Sequence, residues 1–349
     1  MKSILVTGGA GFIGSHTCLV LLEKGYKVFV IDSFENSSPK SLEKVLKILH
    51  QKNNLKNNLE VFEGNLCDKK FLDQVFSSIH KYNHKIDGVI HFAGVKSTYE
   101  STINPLFYWK TNVLGTINLL EIMYKYSCNN LVFSSSATIY NQNKNLKIKE
   151  KFELAPVNPY GNTKFALEIF LNDLFKSPRN NLSLASLRYF NPIGAHESGL
   201  IGEDPKNTPN NIFPIITNTA IGFQKELEIF GKDWPTNDGT PIRDYIHVMD
   251  LAESHIKVLE YLQSKTKSFL TINIGTGKGT SVLELINIFE KVNKKKVPYI
   301  FSNRRIGDHG YVVADNSFLT SKFKIYPKRS LEEMCRDGWK WKKLNPHGY

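Results

Sequence analysis

Val6-Thr-Gly-Gly-Ala-Gly-Phe-Ile-Gly14 joins a strand-like run, 2–7, to an amphipathic stretch, 12–24. Its glycines let the backbone turn sharply and approach an anion, while unpaired N–H groups and the dipole of the following helix attract negative charge. Strand, glycine loop and helix in that order form the pyrophosphate-binding start of a βαβ unit. The second run, 27–31, leads directly into Asp32. That carboxylate would accept from ribose hydroxyls and repel a 2′-phosphate, and no arginine lies nearby to offset it, so the expected dinucleotide is NAD, not NADP.

Outward from this loop, short β-branched runs at 59–63, 88–92, 131–134 and 182–187 alternate with helical periodicity over 41–50, 69–80, 105–126 and 159–175. Alternation of this kind implies an α/β fold, a doubly wound parallel sheet with helices on both faces. Beyond Arg188 the pattern loosens at Asn191-Pro-Ile-Gly194, Glu203-Asp-Pro205 and Trp234-Pro235. We therefore expect a Rossmann-like NAD-binding domain over 1–188 and a smaller α/β substrate domain over 189–349. Helices at 248–262 and 282–291 flank a buried run at 271–274, so the stretch of about 240–274 is expected to return to the first domain.

Bulk properties narrow the function. The formal charge of +12 comes from lysines spread over separate segments such as 144–151, 291–296 and 340–343, which read as solvated faces and not as a nucleic-acid stripe. Cys18, Cys67, Cys128 and Cys335 are far apart and form no C-x-x-C pair, which suits a reducing compartment. No window approaches the ~18 apolar residues of a membrane span, and the start of the chain has no signal-peptide pattern. With no H-E-x-x-H, no metal is expected. The expectation is a cytoplasmic protein with no membrane, metal or nucleic-acid role.

Asn158-Pro-Tyr-Gly-Asn-Thr-Lys164 places Tyr160 and Lys164 four residues apart at a helix start, on one face. A tyrosine must lose about three units from its reference pKa near ~10 to move protons at neutral pH, and a lysine cation about 4 Å away supplies roughly the ~4 kcal/mol required. Phe133-Ser-Ser-Ser136 ends the fifth run, where ligands sit in open parallel sheets, and Ser136 is taken as the second hydroxyl.

These segments resemble the extended short-chain dehydrogenases/reductases, and within them the NAD-dependent epimerase/dehydratase family to which the UDP-glucose 4-epimerases belong. The resemblance runs nearly end to end, through Thr7 to Thr17, His91-Phe-Ala-Gly-Val-Lys96, Ser134 to Tyr140, Tyr160 with Lys164, and Leu187 to His196. It continues through Gly202-Glu-Asp-Pro205, Pro209-Asn-Asn211, Arg243 to Asp250 and Arg304-Arg-Ile-Gly-Asp308. It implies inversion of the sugar C4 of a UDP-hexose. Tyr160 would take the 4-hydroxyl proton, Ser136 would bond the same oxygen, and Lys164 would hold the nicotinamide ribose. Cofactor contacts carried over are Gly8, Gly11, Phe12, Ile13, Gly14, Asp32, Asn36, Asn65, Leu66, Phe92, Ala93, Lys96, Asn112 and Phe190. Substrate contacts carried over are Asn191, Asn211, Ile212, Phe230, Arg243, Arg305, Asp308 and Val312, the two arginines neutralising the diphosphate. Relatives pair the helices at 105–126 and 159–175 across a two-fold axis, so a homodimer is implied.

The sequence departs from the family pattern at three positions. Asn65 stands where an aspartate commonly accepts from the adenine amino group, and Asn141 follows Tyr140 where glycine is usual. Val312 stands where members restricted to unmodified sugars carry tyrosine, which implies room for an N-acetyl group at C2. A dehydratase on the same fold would need an acid pair after its active-site hydroxyl, whereas Ser136 is followed by Ala137 and Thr138.

Overall fold

The computed structural model describes residues 1–51, 58–82, 84–141, 146–206, 209, 211–305 and 308–349. Asn210, Ile306 and Gly307 of the motifs above, and Lys144 of the 144–151 segment, lie outside the described residues. The chain forms two compact units. The first contains 1–140, 154–188 and 252–272; the second contains 141–153, 189–251 and 273–349.

In the first unit, β1 (Ser3–Thr7), α1 (Phe12–Glu23), β2 (Lys27–Asp32), α2 (Pro39–Gln51), β3 (Leu59–Glu63), α3 (Lys69–Lys81) and β4 (Ile86–His91) follow the alternation of the sequence. β5 (Asn130–Ser136), α7 (Pro159–Lys176) and β6 (Ser183–Tyr189) complete the pattern. A seven-stranded sheet results, in the order Phe269–Ile274, β6, β5, β4, β1, β2, β3. β1 is parallel to both β2 and β4, Thr7 lying beside Ile31 and His91. All five residues of β1 are buried, the signature of a strand covered on both faces. Leu5, Phe29, Phe76, Val89, Leu119 and Phe133 form the core on one side.

The stretch read as one helix over 105–126 is not uniform. α4 (Thr98–Ile103) and α5 (Pro105–Tyr108) lead into a π-helical segment, Trp109–Leu114, before α6 (Gly115–Lys125). Asn112 sits in this widened turn, and its carbonyl accepts from the Thr116 hydroxyl at 2.6 Å. Such single-turn insertions are common at functional sites.

The second unit is built from small sheets. Asn191–Ile193 runs parallel to Tyr245–His247. Ile242–Arg243 lies between Thr280–Ser281 and Tyr311–Val312. Leu227–Phe230 runs parallel to Tyr299–Ser302. Helices α8 (Ile212–Ile221), Val282–Asn293 and Leu331–Leu344 pack Phe213, Ile216, Phe289 and Trp339 into a second core. Ser281 with Glu284, and Ser330 with Glu333, form capping boxes at two of these helix starts.

Candidate active site

The glycine loop leaves no room for side chains. Gly8 has φ +68°, and a Cβ there would meet the Ala93 backbone nitrogen at 2.7 Å. A Cβ on Gly14 would lie 2.2 Å from the Gly8 carbonyl oxygen. Gly11 caps α1 without a side-chain hydrogen bond, so no side chain covers the first amides, those of Phe12, Ile13 and Gly14. An exposed helix start behind a glycine cradle fits a pyrophosphate. Asp32 ends β2 and shapes this loop as well: it accepts from Ala10 N–H and Phe34 N–H, each at 2.9 Å, and from the Ser37 hydroxyl at 2.7 Å. A carboxylate offers about four acceptor positions, so one remains for a ribose hydroxyl. The residues present therefore fit an NAD-type dinucleotide.

The other expected cofactor residues are unequal in their freedom. Asn36 and Lys96 are exposed, Phe92 and Ala93 are half-buried after β4, and Leu66 is buried. The Asn65 carbonyl, expected to accept from adenine, already accepts from Cys67 N–H at 2.9 Å, and its amide donates to Glu35 at 3.2 Å. Asn112 is held by the protein itself: it accepts from Val95 N–H and donates to the Val95 carbonyl and the Thr163 hydroxyl. Its amide clamps the loop after β4 instead of standing free for a ligand. Phe190 is buried in the second unit.

At the start of α7, Asn158 accepts from Gly161 N–H at 2.9 Å and Pro159 occupies the first turn, so Tyr160 is presented in a fixed orientation. Ser136 lies near enough to the Tyr160 phenol to lower its pKa, and its hydroxyl oxygen accepts from Thr138 N–H at 3.2 Å and from the Thr138 hydroxyl at 3.0 Å. Lys164 donates to the Ser134 carbonyl at 2.8 Å and lies over the Phe133 ring, 4.8 Å from its centroid. The three expected catalytic side chains thus converge where β5 ends and α7 begins.

Their electrostatics differ from expectation. Lys164 Nζ lies 6.0 Å from the Tyr160 ring centroid, and the ammonium is not among the groups that shift the phenol. Burial raises the Tyr160 pKa, and only the neighbouring Ser136 hydroxyl opposes it. The same burial pushes Lys164 down to about 8, against the pull of Glu168. Desolvation outweighs pairing because both groups are enclosed.

In the second unit, Arg243 is half-buried and donates to the carbonyls of Ile242 and His309. Burial lowers its pKa, Arg305 adds to that, and Tyr245 and Asp308 oppose it. Arg305 pairs with Asp308 at 3.1 Å and lies over the Phe230 ring at 4.4 Å. Val312 sits beside Arg243 in the parallel pair and is buried. Arg243, Arg305, Asp308, Phe230 and Val312 therefore form one group, with two guanidiniums and an aromatic ring suited to a nucleoside diphosphate. Asn191 N–H bonds the Asp244 carbonyl at 3.0 Å. Asn211, at the cap of α8 just before Ile212, donates to Glu203 at 2.8 Å.

The sequence reading missed Asp244. Its buried carboxylate accepts from Thr276, Gly277 and Ala314 backbone N–H groups and from the Thr276 hydroxyl, pinning the strand that carries Arg243. Its neighbour Gly275 has no space for a Cβ, which would lie 2.6 Å from that carboxylate. No local sequence signal could have found it, because its partners are backbone groups far along the chain.

Residues 5–338 match the family model described as GDP-mannose 4,6 dehydratase, and the chain belongs to that family. A UDP-glucose 4-epimerase of Bacillus subtilis (strain 168) is 47% identical over 347 residues, covering 99% of this chain and 98% of the relative. The crystal structure of UDP-glucose 4-epimerase from Bifidobacterium longum in complex with NAD+ and UDP has a TM-score of 0.92 at 39% identity, covering 100% of both chains. That of UDP-glucose-4-epimerase from Stenotrophomonas maltophila, with bound NAD and formylated UDP-arabinopyranose, has a TM-score of 0.93 at 39% identity and covers 99% of both. Within the family, the chain belongs with the UDP-glucose 4-epimerases.

Proposed function

We propose that this protein interconverts UDP-galactose and UDP-glucose by inverting C4 of the hexose, using NAD that it retains through the cycle. The observation that carries the reading is the meeting of Tyr160 and Lys164, at the start of α7, with the Ser134–Ser136 end of β5, where Lys164 donates to the Ser134 carbonyl, in the same unit as the glycine cradle. NAD, when bound, supplies the reversible oxidation at C4 through which the configuration changes with no net redox. Tyr160 takes the proton from the 4-hydroxyl and returns it to the inverted oxygen. Ser136 bonds the same oxygen and keeps the phenol aimed. Lys164, held on the Ser134 carbonyl, would grip the nicotinamide ribose. Arg243 and Arg305 hold the diphosphate, and Phe230, Asn191, Asn211, Ile212 and Asp308 hold the rest of the nucleotide. A dehydratase is disfavoured because Ser136 is followed by Ala137 and Thr138, neither of which is an acid. The test is to incubate the purified protein with UDP-galactose and no added NAD. UDP-glucose is the expected product; an oxidised or dehydrated sugar alone would overturn the assignment.

Valine at 312 leaves space beside the sugar, so the proposal extends to UDP-N-acetylglucosamine and UDP-N-acetylgalactosamine. It also includes a homodimer. Tyr99, Ile103, Leu106, Trp109 and Leu114 are exposed along α4 to the π-helical segment, and Ile169 is exposed on α7. A symmetric pair would bury them. Sedimentation of the wild type as a dimer and of Leu106→Glu as a monomer checks this; a monomeric wild type refutes it. The four free thiols suit the cytoplasm, which fractionation of the native cell tests directly.

A further inference from the structure

Behind the Tyr160 and Ser136 pair lies a buried ion pair that the proposed chemistry does not use. Glu168 lies one turn beyond Lys164 on α7. Its Oε1 accepts from the Ser135 hydroxyl at 2.5 Å and from Arg188 Nε at 3.0 Å. Its Oε2 accepts from the second arm of the same guanidinium at 2.5 Å. The remaining arm of Arg188 donates to the Tyr140 hydroxyl at 2.7 Å, and the guanidinium lies over the Tyr140 ring at 4.8 Å. The two charged side chains are only 5% and 7% exposed.

Ser135 and Tyr140 bracket Ser136 and the short turn Ala137–Ile139. One carboxylate on α7 and one guanidinium on β6 therefore grip both ends of the segment that carries the Ser136 hydroxyl. The bland reading is that the pair merely holds β5, β6 and α7 together. Apolar side chains would do that as well, because withdrawing two charges from water costs desolvation that their attraction only offsets with good geometry. What an ion pair adds is direction. Its three bonded arms fix angles as well as separation, and a misplacement of about 1 Å at reacting groups can cost about a hundredfold in rate.

We propose that Glu168, paired with Arg188, is a positioning residue for proton transfer at C4: it fixes segment 135–140 against α7 so that the Ser136 hydroxyl is held in place beside the Tyr160 phenol. The inference rests on the reading of Tyr160 and Ser136 given above.

Four proteins test it: wild type, Glu168→Gln, the double variant Glu168→Leu with Arg188→Met, and Ser135→Ala, which removes one bond and leaves the ion pair whole. For each, kcat and KM with UDP-galactose are measured, with calorimetric binding of UDP and thermal melting. The double variant is expected to melt close to wild type while kcat falls roughly ten- to a hundredfold, as in Glu168→Gln. Ser135→Ala is expected to lose several-fold in kcat with an unchanged melt. In all three, KM and UDP affinity stay within about twofold. A well-folded double variant or Ser135→Ala with wild-type kcat overturns the proposal, as does a loss of UDP affinity in step with kcat. Wild type that binds UDP but inverts nothing would instead refute the epimerase reading itself.

Discussion

Asn112 turns both ends of its amide onto one residue, accepting from Val95 N–H at 2.9 Å and donating to the Val95 carbonyl at 3.1 Å. A third bond, to the Thr163 hydroxyl at 3.0 Å, ties this clamp to α7, and Thr163 in turn bonds the Tyr160 carbonyl at 2.7 Å. The loop after β4 and the helix carrying the phenol are thereby registered through one buried side chain. Gly94 inside the clamp has φ +150°, and a Cβ there would meet the Asn112 amide oxygen at 2.8 Å.

Asn112→Leu keeps the volume and leaves both polar groups of Val95 unsatisfied. Each such group costs about 1–3 kcal/mol. The variant should lose roughly 2–4 kcal/mol in urea unfolding and co-purify with less NAD. Unaltered stability would show that water or another donor replaces the amide.

Much of this arrangement was readable beforehand, and the remainder was not for identifiable reasons. The glycine loop announces itself because only glycine fits where a Cβ would strike backbone, as at Gly14. Four-residue spacing put Tyr160 and Lys164 on one face, but spacing carries no information on burial, and burial is what raises the phenol and lowers the ammonium. The π-helical turn at Trp109–Leu114 was hidden because the apolar pattern on either side stays helical. Contacts from Val95 and Thr163, distant in sequence, hold Asn112 in it. The role of Asp244 depends on backbone groups at 276, 277 and 314, which no local pattern reveals.

Gly14→Ala should abolish cofactor retention. Its Cβ would lie 2.2 Å from the Gly8 carbonyl, a backbone atom that cannot swing aside as a side chain would. Either the loop opens or α1 shifts, at about 1–3 kcal/mol or more. Absorbance of NAD released on denaturation checks this, and a full complement in the variant refutes it.

His91 bridges β4 to β1 and α6, bonding Thr7 at 2.6 Å and Thr116 at 2.8 Å. Burial first, then the charge of Lys164, lowers its pKa from 6.5 to about 3. The folded protein keeps it neutral, while the unfolded chain protonates it below 6.5. Its stabilisation is therefore present above pH 6.5 and lost progressively as pH falls towards 3. His91→Gln cannot take up that proton, so its unfolding free energy should fall less steeply over this window, by about 1.4 kcal/mol per pH unit. Urea titrations at pH 6.5, 5.5 and 4.5 measure the two slopes; parallel lines would reject the argument.

Val312 lies beside Arg243, buried, in the group assigned to the nucleotide sugar. On the proposed reading, tyrosine there would fill the space next to C2. Val312→Tyr is expected to retain turnover of UDP-galactose and to lose that of UDP-N-acetylgalactosamine by at least tenfold. Equal discrimination in the two proteins would remove Val312 from any part in specificity.

Lys164 bears on both stability and function. Burial drops its pKa from 10.5 to about 8, so between those values the unfolded chain binds a proton that the folded chain has released. Wild-type stability from this group therefore rises with pH across that window, is complete above 10.5, and is lost as pH falls through 8. At pH 7 the folded protein carries the full penalty of an enclosed ammonium, offset in part by the bond to the Ser134 carbonyl. Lys164→Met removes the charge. It should melt at or above the wild-type temperature at pH 7, with an advantage that shrinks as pH rises from 8 to 10.5, while epimerisation drops by 10² or more, as for loss of an acid–base partner (~10²–10⁴). A melting difference independent of pH would mean that the ammonium is solvated in the folded state, and the electrostatic account of Tyr160 would fall with it.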